Sequence, residues 1–286
     1  MMKYRNIGFF LITAAVFGGT ILPLKNLMTS KAGGRFYDYY SHIYLIPVVS
    51  AYLFYIRREE IRRSLRPDIS LGPILSIAGL IGYGCALLWG KALVEIDQAA
   101  WQISALLTAW LGIFLLFWGK EAFRAALFPL LFLFFLVPVP RALMDGFIYV
   151  LQVGSTWVTA WIFSLLGVSY YQEGFIFELG RVTIEVAKEC SGIRSTMAMV
   201  ITGILAAYLF LGRNRNRLIL MLTILPITIL KNGIRIVTLT LLAIYVDQRF
   251  LTGGFLHKSG GFLFYIPGLL IFGAILLWLR KKEPKG

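Results

Sequence analysis

Runs of apolar residues almost free of charge recur along the whole chain, and nothing else in it limits the fold as much. They cover 7–24, 42–56, 69–90, 99–118, 125–137, 192–211, 218–246 and 261–279, and none contains an Asp or Glu. A helix crossing a bilayer needs about 20 apolar residues, with shorter ones tolerated. Composition agrees: 58% of residues are hydrophobic and 15% charged, against roughly 25% charged in a soluble domain. A soluble enzyme, a disordered chain and a fibrous protein are therefore excluded. The net charge of +14 would suggest nucleic acid in a soluble protein. In a membrane protein it reflects cytoplasmic loops, so no nucleic-acid partner is expected. Lys3 and Arg5 precede the first run, which lacks a small-residue cleavage site leading into a soluble domain. It reads as an uncleaved span.

The segment Gly146–Leu166 calls for an argument from parity. Arg57, Arg58, Arg62, Arg63 and Arg66 form one basic cluster, and Arg213, Arg215 and Arg217 another. If both are cytoplasmic, an even number of crossings lies between them. Four are already supplied by 69–90, 99–118, 125–137 and 192–211. The segment also carries Phe147, Val150, Leu151, Trp157, Val158, Trp161, Ile162 and Leu165 on one helical face, and Gln152, Ser155, Thr156 and Thr159 on the other. It reads as an amphipathic helix, 146–166, in the interface or packed on the bundle. The alternative is a ninth span, with inverted topology beyond it.

Charge then sets the orientation. The segments 1–6, 57–68, 119–124, 212–217 and 280–286 hold sixteen Lys/Arg and five Asp/Glu, whereas 25–41, 91–98, 138–191 and 247–260 hold nine of each. The positive-inside bias places both termini in the cytoplasm. Phe36, Tyr37, Tyr39, Tyr40 and Tyr44 form an aromatic girdle at the outer interface. Within 138–191, Tyr170–Leu179 and Val182–Ala187 have strand character around Gly180-Arg181, which predicts a short β-hairpin over 170–187. The expected fold is an all-α polytopic membrane protein, a single domain over 1–286 with about eight transmembrane helices, one interfacial amphipathic helix and a short extracytoplasmic β-hairpin.

Three cations remain inside the runs: Arg194, Lys231 and Arg235. Burying charge in a bilayer is costly, so such residues are functional candidates by default. Lys231 can snorkel, and carbonyls near the interface can satisfy Arg194. Arg235 lies eleven residues before Val246, about 16 Å along a helix from its outer end. It calls for a local anion: a thiolate or a substrate carboxylate. Cys190 precedes Ser191 and Gly192 at a predicted helix start on the outer side, where unpaired N–H groups lower a thiol pKa and can form an oxyanion hole. His257 falls on the same side and can serve as base for a thiol and acid for a leaving amine. Two cysteines and two histidines cannot build a usual Cys/His zinc cluster, so no metal or other cofactor is expected. Cys85 sits in the apolar stretch 80–88, which argues against a Cys85–Cys190 disulfide.

Together these residues resemble the exosortase/archaeosortase family, and the resemblance covers nearly the whole chain. Ser41-His42, an apolar run and Arg57-Arg58-Glu59-Glu60 resemble its early Ser-His span, with Ile43 replacing a frequent glycine. Val137-Pro138-Val139-Pro140 followed by Leu151-Gln152 resembles its central loop and amphipathic segment. Glu189-Cys190-Ser191-Gly192-Ile193-Arg194 resembles the nucleophile motif, Asn232-Gly233-Ile234-Arg235 the Asn-x-x-Arg motif, and His257 before Gly260-Gly261 the final histidine of the exosortase branch. The resemblance implies a multi-pass cysteine protease or transpeptidase in the cytoplasmic membrane of a prokaryote, with an extracytoplasmic active site. Its catalytic residues would be Cys190, Arg235 and His257, supported by Arg194, Asn232, His42 and Ser191. Its partners would be membrane lipids and membrane-anchored proteins bearing a C-terminal sorting signal, meaning a motif such as Pro-Glu-Pro, a transmembrane helix and a basic tail. The acceptor is open, a lipid or polysaccharide among the options. Two other readings stand beside this one: a transporter or flippase for an anionic lipid or polysaccharide lined by Arg194, Lys231 and Arg235, and a non-catalytic membrane scaffold.

Overall fold

The computed structural model describes residues 2–29, 40–63, 70–180, 182–252 and 255–283. The chain divides into two compact units, 1–143 and 144–286, at a boundary that no linker marks in the sequence. The first unit holds α1 (Met2–Thr29), α2 (Leu45–Ile56), α3 (Arg58–Arg63), α4 (Leu71–Leu88), α5 (Glu95–Ala125) and α6 (Leu127–Phe132). The second begins within α7 (Arg141–Leu165). It continues through β1 (Tyr171–Glu173), β2 (Ile176–Leu179), β3 (Val182–Glu185), α8 (Ile193–Phe210), α9 (Asn214–Tyr245), α10 (Arg249–Thr252) and α11 (Phe255–Lys281).

In the first unit α5 is the spine. Lipid tails are as apolar as leucine, so helices in a bilayer gain most from close approach over small residues. A Cβ on Gly79 would stand 2.3 Å from the Ala109 nitrogen, and one on Gly112 would stand 2.3 Å from the Ser76 nitrogen. The α4 and α5 backbones therefore touch along Gly72, Ser76 and Gly79. On another side of α5, Phe9 of α1 packs its ring against Trp110, Phe114, Phe117 and Trp118, and the Trp110 indole donates to Thr13 Oγ1 at 3.0 Å.

Gly119, at φ 86°, breaks α5 after Trp118. The chain then returns along α5. The Arg141 amide donates to Asp97 Oδ1 at 2.7 Å, close to where α5 began, and Tyr40 donates to the Val139 carbonyl at 2.9 Å. The expected crossing 125–137 lies in this return, yet its helical part, 127–136, is short.

Among the described residues, seven helices are long and apolar enough to cross a membrane: 7–27, 71–88, 95–125, 141–165, 193–210, 214–245 and 263–281. The division differs from the expected one at two further places. The run 42–56 is a shorter apolar helix, and α7, expected as interfacial, is long enough to span. The packing of α7 shows how its two faces are used. Trp157 is 76% exposed, with Phe147, Trp161 and Leu165 on the same outer face, while Gln152, Ser155, Thr156 and Thr159 are buried. Apolar side chains face outward and polar ones face the protein, as suits a helix with lipid at its back.

The expected two-strand hairpin is instead a three-stranded antiparallel sheet in the order β1-β2-β3. Gly174, at φ 57°, splits the first arm, so that Glu173 pairs with Ile176. Gly180, at φ 64°, makes the second turn, and Arg181 lies outside the described residues. Phe177, Leu179, Val182 and Ile184 are buried on one face, against Phe163 of α7 and Val237 of α9.

A second cluster, with Met199, Leu220, Ile224 and Phe272 among its members, joins α8, α9 and α11. Gly154 and Gly233 let α7 and α9 close on each other: a Cβ at Gly154 would be 2.6 Å from Ile229 Cδ1, and one at Gly233 would be 2.4 Å from Val158 Cγ1. The start of α9 is capped from the far end of the unit. The Glu283 carboxylate accepts from the Gly212 and Arg213 amides at 2.7 and 3.0 Å and from Asn216 Nδ2 at 3.0 Å. Those backbone donors hold its carboxyl below the ordinary range.

Candidate active site

Residues Lys188–Cys190 form a single 3₁₀ turn, in which the Cys190 amide donates to the Ala187 carbonyl at 2.9 Å and the Ser191 amide to Lys188 at 3.2 Å. Gly192 follows at φ 80°, ψ 13°, a left-handed conformation that side chains rarely adopt. A Cβ there would also stand 3.2 Å from Asn232 Oδ1. This glycine lets α8 begin at Ile193, three residues beyond the cysteine, and no side chain caps that start. The first N–H groups of α8 have no partner within the helix, and they carry the positive end of its dipole. Neither cysteine is in a disulfide, and both are half-buried.

Two consecutive residues of α9 hold this turn, one directly and one through Ser195. Asn232 is 1% exposed, and its amide donates to the Cys190 carbonyl at 2.8 Å and to Ser155 Oγ at 2.9 Å. Lys231 donates to Ser195 Oγ. Ser195 in turn donates to the Gly192 carbonyl at 2.8 Å, and that carbonyl also accepts from the Thr196 hydroxyl at 2.9 Å and the Thr196 amide at 3.0 Å. The glycine approach of α7 to α9 places Ser155 opposite Asn232. Gln152, one turn earlier on α7, donates to the Val186 carbonyl at 2.8 Å and fixes the strand end leading into the turn. Lys188 pairs with Asp145 at 3.2 Å on the exposed rim.

Several buried polar atoms lie on this turn and on the two helices α7 and α9. Ser191 Oγ, Asn232 Oδ1, Thr156 Oγ1, Thr159 Oγ1, Thr228 Oγ1 and Arg235 Nε are buried and have no hydrogen-bond partner among the described residues. Such groups are uncommon in a folded interior. Here they belong to α7, to the Cys190 turn itself and to α9.

The expected site residues separate into groups. Cys190, Ser191 and Asn232 come together, and Arg235 follows Asn232 one turn along α9. Arg194 is exposed on the first turn of α8. His42 belongs to the first unit, in the turn Ser41–Tyr44, with its ring 6.1 Å from that of Tyr40. The backbone of His257 lies in the first turn of α11, and its side chain lies outside the described residues. The sequence marks Gln152 and Ser155 only as part of the polar face of 146–166, and Gln152 within the resemblance, without a role at the site, and it does not mark Ser195 at all. The signal for the first two was present: a polar stripe beside Gly154 on an otherwise apolar helix, which in lipid turns toward protein.

No curated protein and no solved structure gives a significant match to the chain. The model of the transmembrane exosortase family matches residues 35–278. That stretch includes the Cys190 turn, the Asn232 and Arg235 turn of α9, and His257, so the match takes in the assembled site together with most of the helices around it. The chain belongs to the transmembrane exosortase family.

Proposed function

We propose that the protein is a cysteine transpeptidase or protease that cleaves a C-terminal sorting signal, consisting of a motif such as Pro-Glu-Pro, a transmembrane helix and a basic tail, through an acyl-enzyme on Cys190. The observation that carries this reading is the holding of the Cys190 turn at the bare N-terminus of α8 by Asn232 and by Lys231 through Ser195, with Arg235 one turn away and its Nε unpartnered among the described residues. Nothing in a scaffold calls for a cysteine so placed.

In this mechanism His257 takes the proton of the Cys190 thiol. The thiolate attacks the scissile carbonyl, and the tetrahedral oxyanion is stabilised by Arg235 and by amides at the start of α8. The carbon–nitrogen bond then breaks, His257 protonates the departing amine, and a thioester remains. An acceptor nucleophile or water attacks the thioester and restores the thiol.

The reading places the site at the outer face of a cytoplasmic membrane with both termini inside. The length of α9 supports this. Its 32 residues extend about 48 Å, well beyond a hydrocarbon core of about 30 Å. The sheet covers its last turns around Val237, so Asn232 and Arg235 fall near the interface rather than at the bilayer centre. A substrate helix beside α8, α9 and α11 then presents its motif at the depth of Cys190. The test is cleavage of a tagged sorting-signal substrate in membranes, with trapping of the thioester by hydroxylamine. Cys190→Ala is expected to abolish both. Unchanged processing in Cys190→Ala overturns the proposal.

A further inference from the structure

Between them, α9 and α11 leave a groove of about 230 Å³. Its walls are apolar, with Pro226, Leu230 and Ile234 on α9 facing Phe264, Pro267 and Ile271 on α11. Lys231 is the charged residue in the lining, and it is 9% exposed. Its ammonium has the Ser195 hydroxyl and, at 5.9 Å, the face of Tyr265. No carboxylate pairs with it among the described residues. An ammonium in such surroundings is expensive without an anion, so the groove is matched to a negative group from outside the chain.

We infer that Lys231 is a specificity residue that receives the acidic side chain of the sorting signal, with the apolar residues after the motif lying in the groove between α9 and α11. This rests on the proposed function. One feature favours a peptide carboxylate over a lipid phosphate: the link of Lys231 through Ser195 to the Gly192 carbonyl sets the bound anion beside the segment that carries Cys190, where the same peptide must place its scissile bond. Arg235, one turn further along α9, remains for the charge that develops in the reaction.

The experiment compares three reporters, with Pro-Glu-Pro, Pro-Gln-Pro and Pro-Lys-Pro motifs, in membranes carrying the wild type, Lys231→Met, Lys231→Arg or Lys231→Glu. The wild type is expected to prefer the Glu reporter to the Gln reporter by at least about tenfold in kcat/KM, the size of one lost charge-assisted contact. Lys231→Arg keeps that preference. Lys231→Met lowers both rates, because Lys231 also braces the Cys190 turn through Ser195, but costs the Glu reporter at least about tenfold more and so brings the ratio near one, and Lys231→Glu favours the Lys reporter. A wild-type ratio retained in Lys231→Met overturns the inference. An equal loss on both reporters, which leaves that ratio as it was, does so too, because it makes Lys231 a support of the Cys190 turn and nothing more. So does a response to added phosphatidylglycerol that is equal for both reporters and absent in Lys231→Met, which assigns the groove to lipid. If the wild type cleaves no reporter, the proposed function falls and this inference with it. Cleavage with an unaltered preference overturns this inference alone.

Discussion

Asn232 shows what a single residue does in this site. Its amide serves the Cys190 carbonyl and the Ser155 hydroxyl at once. Asn232→Ala leaves both buried partners unmet, at about 1–3 kcal/mol. A lowered Tm and an altered alkylation rate at Cys190 are expected; an unchanged rate would show that the turn holds itself. Arg235 offers a different test. Its Nε is buried without a partner among the described residues, and a planar fork suits an oxyanion better than a point charge does. Arg235→Lys is therefore expected to lose most activity while keeping the charge, and a wild-type rate of substrate processing would reduce Arg235 to a counter-charge. For His257 the measurement is the pH midpoint of iodoacetamide reaction at Cys190. A free thiol titrates near 8.5, and a nearby imidazolium favours the thiolate, so His257→Ala is expected to raise the midpoint. A midpoint that stays in place while acyl-enzyme formation fails leaves His257 as the acid alone.

Among elements, the pairing of α7 with α9 decides most. Gly233 admits Val158 so closely that Gly233→Ala places a methyl group 2.4 Å from its Cγ1. Overpacking of this kind costs about 1–3 kcal/mol. Here it also draws Ser155 away from Asn232, so both Tm and activity are expected to fall. Val158→Ala in the same chain removes the Cγ1 contact but leaves Cβ 2.8 Å from the new methyl group, so it is expected to restore part of both, and failure of that partial rescue would separate the helix contact from the site. The cap of α9 gives a prediction in pH. The Glu283 carboxyl is depressed when folded, so its contribution is complete above its unfolded pKa and is lost as pH falls through the folded one. Thermal melts between about pH 6 and 3 are expected to show a stability loss that Glu283→Gln lacks. At this scale the sequence was legible wherever one environment acts on a helix. The uncharged runs and the alternation of Val182 and Ile184 marked helices and strand. The polar stripe of α7 was seen, but its direction was not, because the same stripe suits a helix facing water or a helix facing protein.

At the scale of the whole molecule, the charge split predicts that Cys190 faces outward. A membrane-impermeant maleimide is expected to label intact spheroplasts of the wild type and not of Cys190→Ala. Labelling only after the inner face is opened would reverse the proposed orientation. What the sequence by itself determined is the class of protein, because transfer of uncharged runs into lipid is a local sum over consecutive residues that needs no neighbours. The motif around Cys190 and the Asn232-Gly233-Ile234-Arg235 turn were legible for the same reason: each is contiguous. Only the tertiary structure decided that Asn232 holds the Cys190 carbonyl from 42 residues away, that Ser155 lies behind it, and that Lys231 reaches Ser195 and lines a groove. Those pairings depend on how closely α7, α8, α9 and α11 approach one another. That approach is set by glycines such as Gly154 and Gly233, whose partners on the facing helix no spacing along the chain reveals.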